Sequence, residues 1–188
     1  MHRFQYYKVA SCTPDVFIGD PDANKKEILN IIHSLDSDTQ LAVFPELCIS
    51  GYTCQDLFYE DILLKRSKQV LIELSYEIPE NLAVVLGLPL VIQNKLYNCA
   101  AFVFNHKILG IYVKTYIPMY NEFYEKRWFS SSKDLDTDSI CLDGQFVPVS
   151  NKILFKDTDN SNWFAWGKVE ICENCINEIR KNINNENI

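Results

Sequence analysis

Residues 41–46 read Leu41-Ala42-Val43-Phe44-Pro45-Glu46. Four apolar residues in a row form a short buried strand, and proline, which has no N–H to offer a ladder, ends it. The strand thus delivers a carboxylate to its own carboxyl end. Upstream, Asp20-Pro21-Asp22 opens a helix running to about Leu35, with Ile28, Leu29, Ile31, Ile32 and Leu35 on its inner stripe. Before that helix lies an apolar run from Tyr7 to Cys12, stopped by Thr13-Pro14. Strand, helix and strand in succession begin a layered α/β domain.

Downstream, a helical pattern covers Asp56 to Tyr76 and carries Leu63, Val70, Leu71 and Leu74. Leu82 to Ile92 is a long apolar strand. Asn98 to Phe104 and Ile108 to Val113 form a strand pair turning at Asn105-His106. Lys114 to Asp138 is irregular and rich in aromatics (Tyr116, Tyr120, Phe123, Tyr124, Trp128, Phe129), and ordered loops of such length commonly carry function. Ile140 to Phe155 reads as a hairpin turning at Asp143-Gly144. Phe164 to Cys172 is a further strand, Glu173 to Asn184 an Asn-rich amphipathic helix, and the tail is polar. A strand so close to the last residue makes the sheet look cut short.

The 188 residues suit one domain, and 47% hydrophobic with 23% charged residues is globular composition. Lys and Arg total 18 against 25 Asp and Glu, for a net charge of −7. With no basic stretch, the chain lacks the counterion-release energy that drives binding to nucleic acid. No apolar run is long enough for a membrane helix. The opening MHRFQYYKVASC has no apolar core of a signal peptide. The seven cysteines, Cys12, Cys48, Cys54, Cys99, Cys141, Cys172 and Cys175, are odd in number and scattered, which predicts free thiols in a reducing, cytoplasmic setting.

Three polar residues stand at the carboxyl ends of apolar strands: Glu46, Lys114 after ILGIYV, and Cys172 after GKVEI. Strand ends are where sites gather in open α/β sheets. Singly, Glu46 reads as a turn cap, Lys114 as a solvated strand end and Cys172 as a buried thiol. Together they supply a base, a cation and a nucleophile, the parts of covalent amide chemistry. Cys172 and Cys175 also form a CxxC, but His2, His33 and His106 lie elsewhere without paired spacing, so no metal site is expected. His33 reads as structural. Asp134, Asp136 and Asp138 lack the Gly and terminal Glu of a calcium loop and read as solvated acids.

FPELCISGY around Glu46, KTYIPMYNEFYEKRWF from Lys114, and VEICEN around Cys172 resemble the Glu-Lys-Cys blocks of the carbon–nitrogen hydrolase (nitrilase) superfamily. ASCTPDVFIGDPDANKKEIL and LPLVIQNKLYNCAAFVFNHKILGIYVK are similar to one branch, the glutamine-hydrolysing domain of glutamine-dependent NAD synthetases. The resemblance covers residues 4 to 174, with the three blocks spaced 68 and 58 residues apart. It implies a nitrilase-like αββα sandwich, here the N-terminal portion only, with residues 1–188 an incomplete glutaminase domain. It implies that Cys172 attacks the glutamine amide to form a thioester, that Glu46 is the general base, and that Lys114 stabilises the charged intermediate. Glu125 takes the place of a second, supporting glutamate. Tyr120 and Glu173 take the places of substrate-binding residues.

The departures lie after the third block, where Asn174-Cys175-Ile176-Asn177 replaces the family's usual continuation. No Gly-rich phosphate loop occurs, so no cofactor is expected in this domain. ATP and Mg are expected only in a synthetase domain, which is absent from the chain. Implied partners are glutamine, that synthetase domain or subunit, and further copies of the chain as a homo-oligomer. The alternatives are a truncated fragment without activity, and a nitrilase-type amidase acting on another small amide. Losing part of the pocket predicts weak or no glutamine hydrolysis by the isolated chain.

Overall fold

The computed structural model describes residues 8–119, 124–153 and 155. Among these residues, seven strands form one mixed sheet: β1 (Val9–Ser11), β2 (Leu41–Val43), β3 (Ala83–Ile92), β4 (Lys95–Phe104), β5 (Lys107–Val113), β6 (Ser139–Leu142) and β7 (Gln145–Ser150). Their spatial order is β1-β2-β3-β4-β5-β7-β6. β1, β2 and β3 run parallel, joined by helices α1 (Pro21–Ser34) and α2 (Asp61–Glu77). β3, β4 and β5 form an antiparallel meander, β7 joins β5 in parallel, and β6 folds back on β7.

Local chemistry explains most boundaries. Asp20 caps α1 by accepting from the Ala23 N–H at 3.0 Å, and Pro21 fills the first turn, where its missing N–H costs nothing. Asn105 and His106 both take positive φ, 49° and 57°, the conformation of a two-residue hairpin turn. Gln93 and Asn94 do the same between β3 and β4, so β4 begins at Lys95 rather than at Asn98. The turn at Asp143-Gly144 follows this pattern as well.

Two helical expectations change as well. On α1 only Ile28 and Ile32 of the five stripe residues are fully buried, while Leu29, Ile31 and Leu35 pack at the margin. The helix expected from Asp56 begins at Asp61, behind a separate 3₁₀ turn over Gln55–Tyr59. The cause is tertiary. Phe58 is drawn into a cluster with Phe129 and Trp128, at 4.9 and 5.9 Å between ring centroids. Asp56 meanwhile accepts from Arg127 and from the Trp128 indole N–H.

The main core lies between α1, α2 and one face of the sheet, where Ile28, Ile32, Val70, Leu71 and Leu74 meet Leu86, Leu88, Cys99, Ala101 and Val113. Because side chains alternate along a strand, the next residues in sequence face the other way. There Val85, Ala100 and Tyr112 form a smaller cluster, bordered by Phe102. Of the four expected layers, the described residues form two, one of helix and one of sheet. The expected strand Phe164 to Cys172 and the helix after it lie outside the described residues.

Candidate active site

Glu46 stands three residues beyond β2, on a compact turn docked against β3. The Phe44 N–H donates to the Val85 carbonyl at 3.0 Å, and the Ile49 N–H to the Gly87 carbonyl at 3.1 Å. Between these anchors the turn crosses directly over Gly87. A Cβ there would fall within 3.0 Å of the backbone of Pro45, Glu46 and Leu47, so only glycine lets the turn lie this close. Leu47, buried with φ 53°, is held in the left-handed region as part of this bend.

Lys114 is the first residue after β5. Its N–H donates to the Asn98 carbonyl on β4, and its own carbonyl accepts from Ser132, each at 3.0 Å. These bonds direct its side chain inward, and the residue is only 1% exposed. Nζ lies 2.6 Å from Glu46 Oε1 and 2.8 Å from Glu125 Oε2. Glu125 opens a 3₁₀ turn (Glu125–Arg127) and is itself 4% exposed. The turn is anchored because the Glu125 carbonyl accepts from the N–H groups of Trp128 and Phe129.

The structure therefore brings together three of the six residues expected at the site: Glu46, Lys114 and Glu125. Cys172, Glu173 and Tyr120 lie outside the described residues. Two partners were missed in the sequence. The Tyr52 hydroxyl donates to Glu125 Oε1 at 2.6 Å, and Asn98 Nδ2 donates to Glu46 Oε1. A signal for Asn98 existed, since an asparagine inside the apolar run YNCAAFV needs a buried partner.

Electrostatically, one buried ammonium sits between two carboxylates. Burial pushes the Glu46 carboxyl above its usual range; the charge and hydrogen bond of Lys114 oppose the shift, and the charge of Glu125 adds to it. Burial works against the charge on Lys114, but the two carboxylates outweigh it and the ammonium is held protonated more firmly than usual. The pair thus offers a base with raised basicity beside a fixed cation, the combination that proton abstraction and oxyanion stabilisation require. Cys48, two residues from Glu46, is fully buried, and burial pushes its thiol up to about 12. Cys12, Cys54 and Cys99 are buried and shifted upward too, so these thiols behave as core residues.

An open cleft lined by Tyr116, Met119, Lys126, Phe129 and Lys133 follows the loop beyond Lys114, and none of Glu46, Lys114 and Glu125 lines it. Among the described residues no cluster of His, Cys, Asp or Glu could hold a metal ion. No helix among them is long and apolar enough to cross a membrane.

Residues 8–155 match the model of the carbon-nitrogen hydrolase family. The chain belongs to that family. It is 36% identical over 174 residues, 92% of its length, to the glutamine-dependent NAD(+) synthetase of Mycobacterium tuberculosis, and covers 25% of that protein. The human glutamine-dependent NAD(+) synthetase is 29% identical over 170 residues, 88% of this chain and 24% of the relative. Among solved structures, the glutamine-dependent NAD(+) synthetase of Cytophaga hutchinsonii superposes with a TM-score of 0.75 at 27% identity, over 81% of this chain and 26% of that one. An amidase from Nesterenkonia shares the fold, with a TM-score of 0.56 at 20% identity over 69% of this chain and 49% of that one. The fold is thus nitrilase-like, and the chain spans about a quarter of the length of the NAD synthetases it matches.

Proposed function

We propose that the chain is the glutamine-hydrolysing part of a glutamine-dependent NAD synthetase, working through Glu46, Lys114 and Cys172. The observation that carries this reading is the buried Lys114 ammonium held between Glu46 and Glu125, in a chain so similar to those enzymes.

In this reading Glu46 takes the proton of the Cys172 thiol, and the thiolate attacks the side-chain carbonyl carbon of glutamine. Lys114 stabilises the oxyanion of the tetrahedral intermediate. The proton passes from Glu46 to the departing nitrogen, the carbon–nitrogen bond breaks, and ammonia leaves a thioester. Glu46 then takes a proton from water as the water attacks, and glutamate and the free thiol are released. The raised basicity of Glu46 supports this role, since a base accepts a proton best when its pKa lies toward the working pH. Glu125 holds Lys114 from the other side, while Tyr120 and Glu173 contact the substrate. The ammonia is consumed by a synthetase domain or subunit, where ATP and Mg belong, in a cytoplasmic homo-oligomer.

The test is covalent labelling with a glutamine-shaped diazoketone, followed by mass spectrometry of all seven thiols. Cys172 is expected to be labelled first, glutamine to protect it, and Glu46→Gln to slow the reaction at least ~10²-fold. Equal labelling of the exposed Cys141 and Cys172, unaffected by glutamine, would overturn the proposal.

A further inference from the structure

Asn98 is fully buried, in a strand whose neighbouring positions are Tyr97, Cys99, Ala100 and Ala101. An amide in such a place is unfavourable unless both its ends find partners. Only one does. Nδ2 donates to Glu46 Oε1, whereas Oδ1, equally shielded from water, has no partner among the described residues. Turning the amide over would set its oxygen against an ionised carboxylate oxygen, so the amino end must face Glu46. Asn98 is also tied to Lys114 through its backbone carbonyl. One residue therefore places both the base and the cation.

We infer that Asn98 is a positioning residue for Glu46. The inference rests on the reading of Glu46 as the base and extends it to how that base is held. Asn98 Nδ2 and Lys114 Nζ both donate to Oε1, which leaves Oε2 as the oxygen that receives the proton. The neutral amide favours the ionised carboxylate without adding a charge. Lys114 from the end of β5 and Glu125 from the following loop are the charged groups that act on Glu46 among the described residues. Asn98 adds a neutral counterweight to burial, keeping a shielded base ionised when its turn comes to accept a proton.

The test uses the intact 188-residue chain labelled with ¹³C at the glutamate carboxyls, the Glu46 signal being identified by its loss in Glu46→Gln. In Asn98→Leu the Glu46 titration midpoint moves upward by about one pH unit. In the unsubstituted chain the side-chain amide resonances of Asn98 titrate with the midpoint of Glu46. A folded Asn98→Leu with an unmoved midpoint overturns the inference. Amide resonances indifferent to that titration overturn it as well, and they decide the matter alone if the variant does not fold. Glutamine hydrolysis is scored separately. In an active chain the acid limb of kcat/KM moves with the Glu46 midpoint in Asn98→Leu while KM is kept. A chain inactive at every pH that still shows the coupled titration defeats glutamine hydrolysis and upholds the role of Asn98.

Discussion

Two groups of ion pairs in this molecule have nearly the same geometry and opposite consequences. Between α1 and α2, Lys25 lies 2.8 Å from Glu73 and 2.6 Å from Glu77, and Arg66 joins Glu73 to Asp22. At the sheet ends, Lys114 lies 2.6 Å from Glu46 and 2.8 Å from Glu125. Yet hydrogen bonds from Arg66 and Lys25 hold the Glu73 carboxyl down at about 2, whereas Glu46 is pushed up. The number of cations and the burial of the surroundings make the difference. The Glu73 side chain is 28% exposed and shares two cations, so desolvation is a minor opposing effect. Glu46, with 20% of its side chain exposed, shares a single, fully buried cation with a second, buried carboxylate, and desolvation wins. Contact distance alone does not tell a carboxylate held ionised from one whose charge is opposed.

The largest break of this contrast is Lys114→Met. It strands the buried Glu125 and the largely covered Glu46, and the cost expected from urea unfolding is about 3–5 kcal/mol, the range for removing one partner of a buried pair. A loss under about 1 kcal/mol would show that water reaches Glu46 and Glu125 readily enough to make the two clusters alike.

Next in size is Gly87→Ala. The added methyl must push the Glu46 turn off β3, with an expected loss of about 1–3 kcal/mol, the usual cost of overpacking. The variant also lengthens the Lys114–Glu46 contact, which a crystal structure of it would reveal. An unchanged stability would mean that the turn is not pinned by that approach.

Stability against pH sharpens the contrast, because the two carboxylates have opposite signs. The folded-state pKa of Glu73 lies below the unfolded glutamate value of about 4.3. Its contribution is thus fully present above about pH 4.3 and is lost as pH falls toward 2. Folding raises the pKa of Glu46, so between its unfolded and folded values the unfolded chain holds fewer protons. Its contribution is present below the unfolded value and is lost as pH rises through the folded one. Glu73→Gln should therefore flatten the acid side of the stability curve, by about 1 kcal/mol given its partial exposure. Glu46→Gln should flatten the side above it. Flattening on the same side by both would remove the distinction between the clusters.

The smallest effect belongs to Lys25→Met. A partly solvated pair contributes below about 1 kcal/mol, and the difference from the unsubstituted chain should vanish in 1 M salt. A salt-independent loss in calorimetric melts would place Lys25 with the buried group.

Much of the fold was legible because its signals are local. Asp20-Pro21 fixed the start of α1, and Asn105-His106 and Asp143-Gly144 marked two hairpin turns through residues that tolerate positive φ. The polar Gln93-Asn94-Lys95 likewise ended the strand at Ile92, but that the turn takes only Gln93 and Asn94, so that β4 resumes at Lys95, is set by pairing with β3. The break before α2 was hidden for another reason: Phe58 obeys contacts with Trp128 and Phe129, about seventy residues away, that no helical period can encode.

At the site, Glu46 and Lys114 were visible because each follows an apolar run, and Glu125 through its place beside them in the family blocks. Asn98 and Tyr52 escaped notice because their partners stand 52 and 73 residues away. The sequence by itself determined which chemical groups the chain owns, where its strands end and which family it resembles, since these follow from side-chain chemistry and local backbone preference. Only the tertiary structure decided that Glu46, Glu125 and Asn98 meet at Lys114 and that Glu46 is the carboxyl driven upward, because proximity and the exclusion of water arise only when distant segments pack.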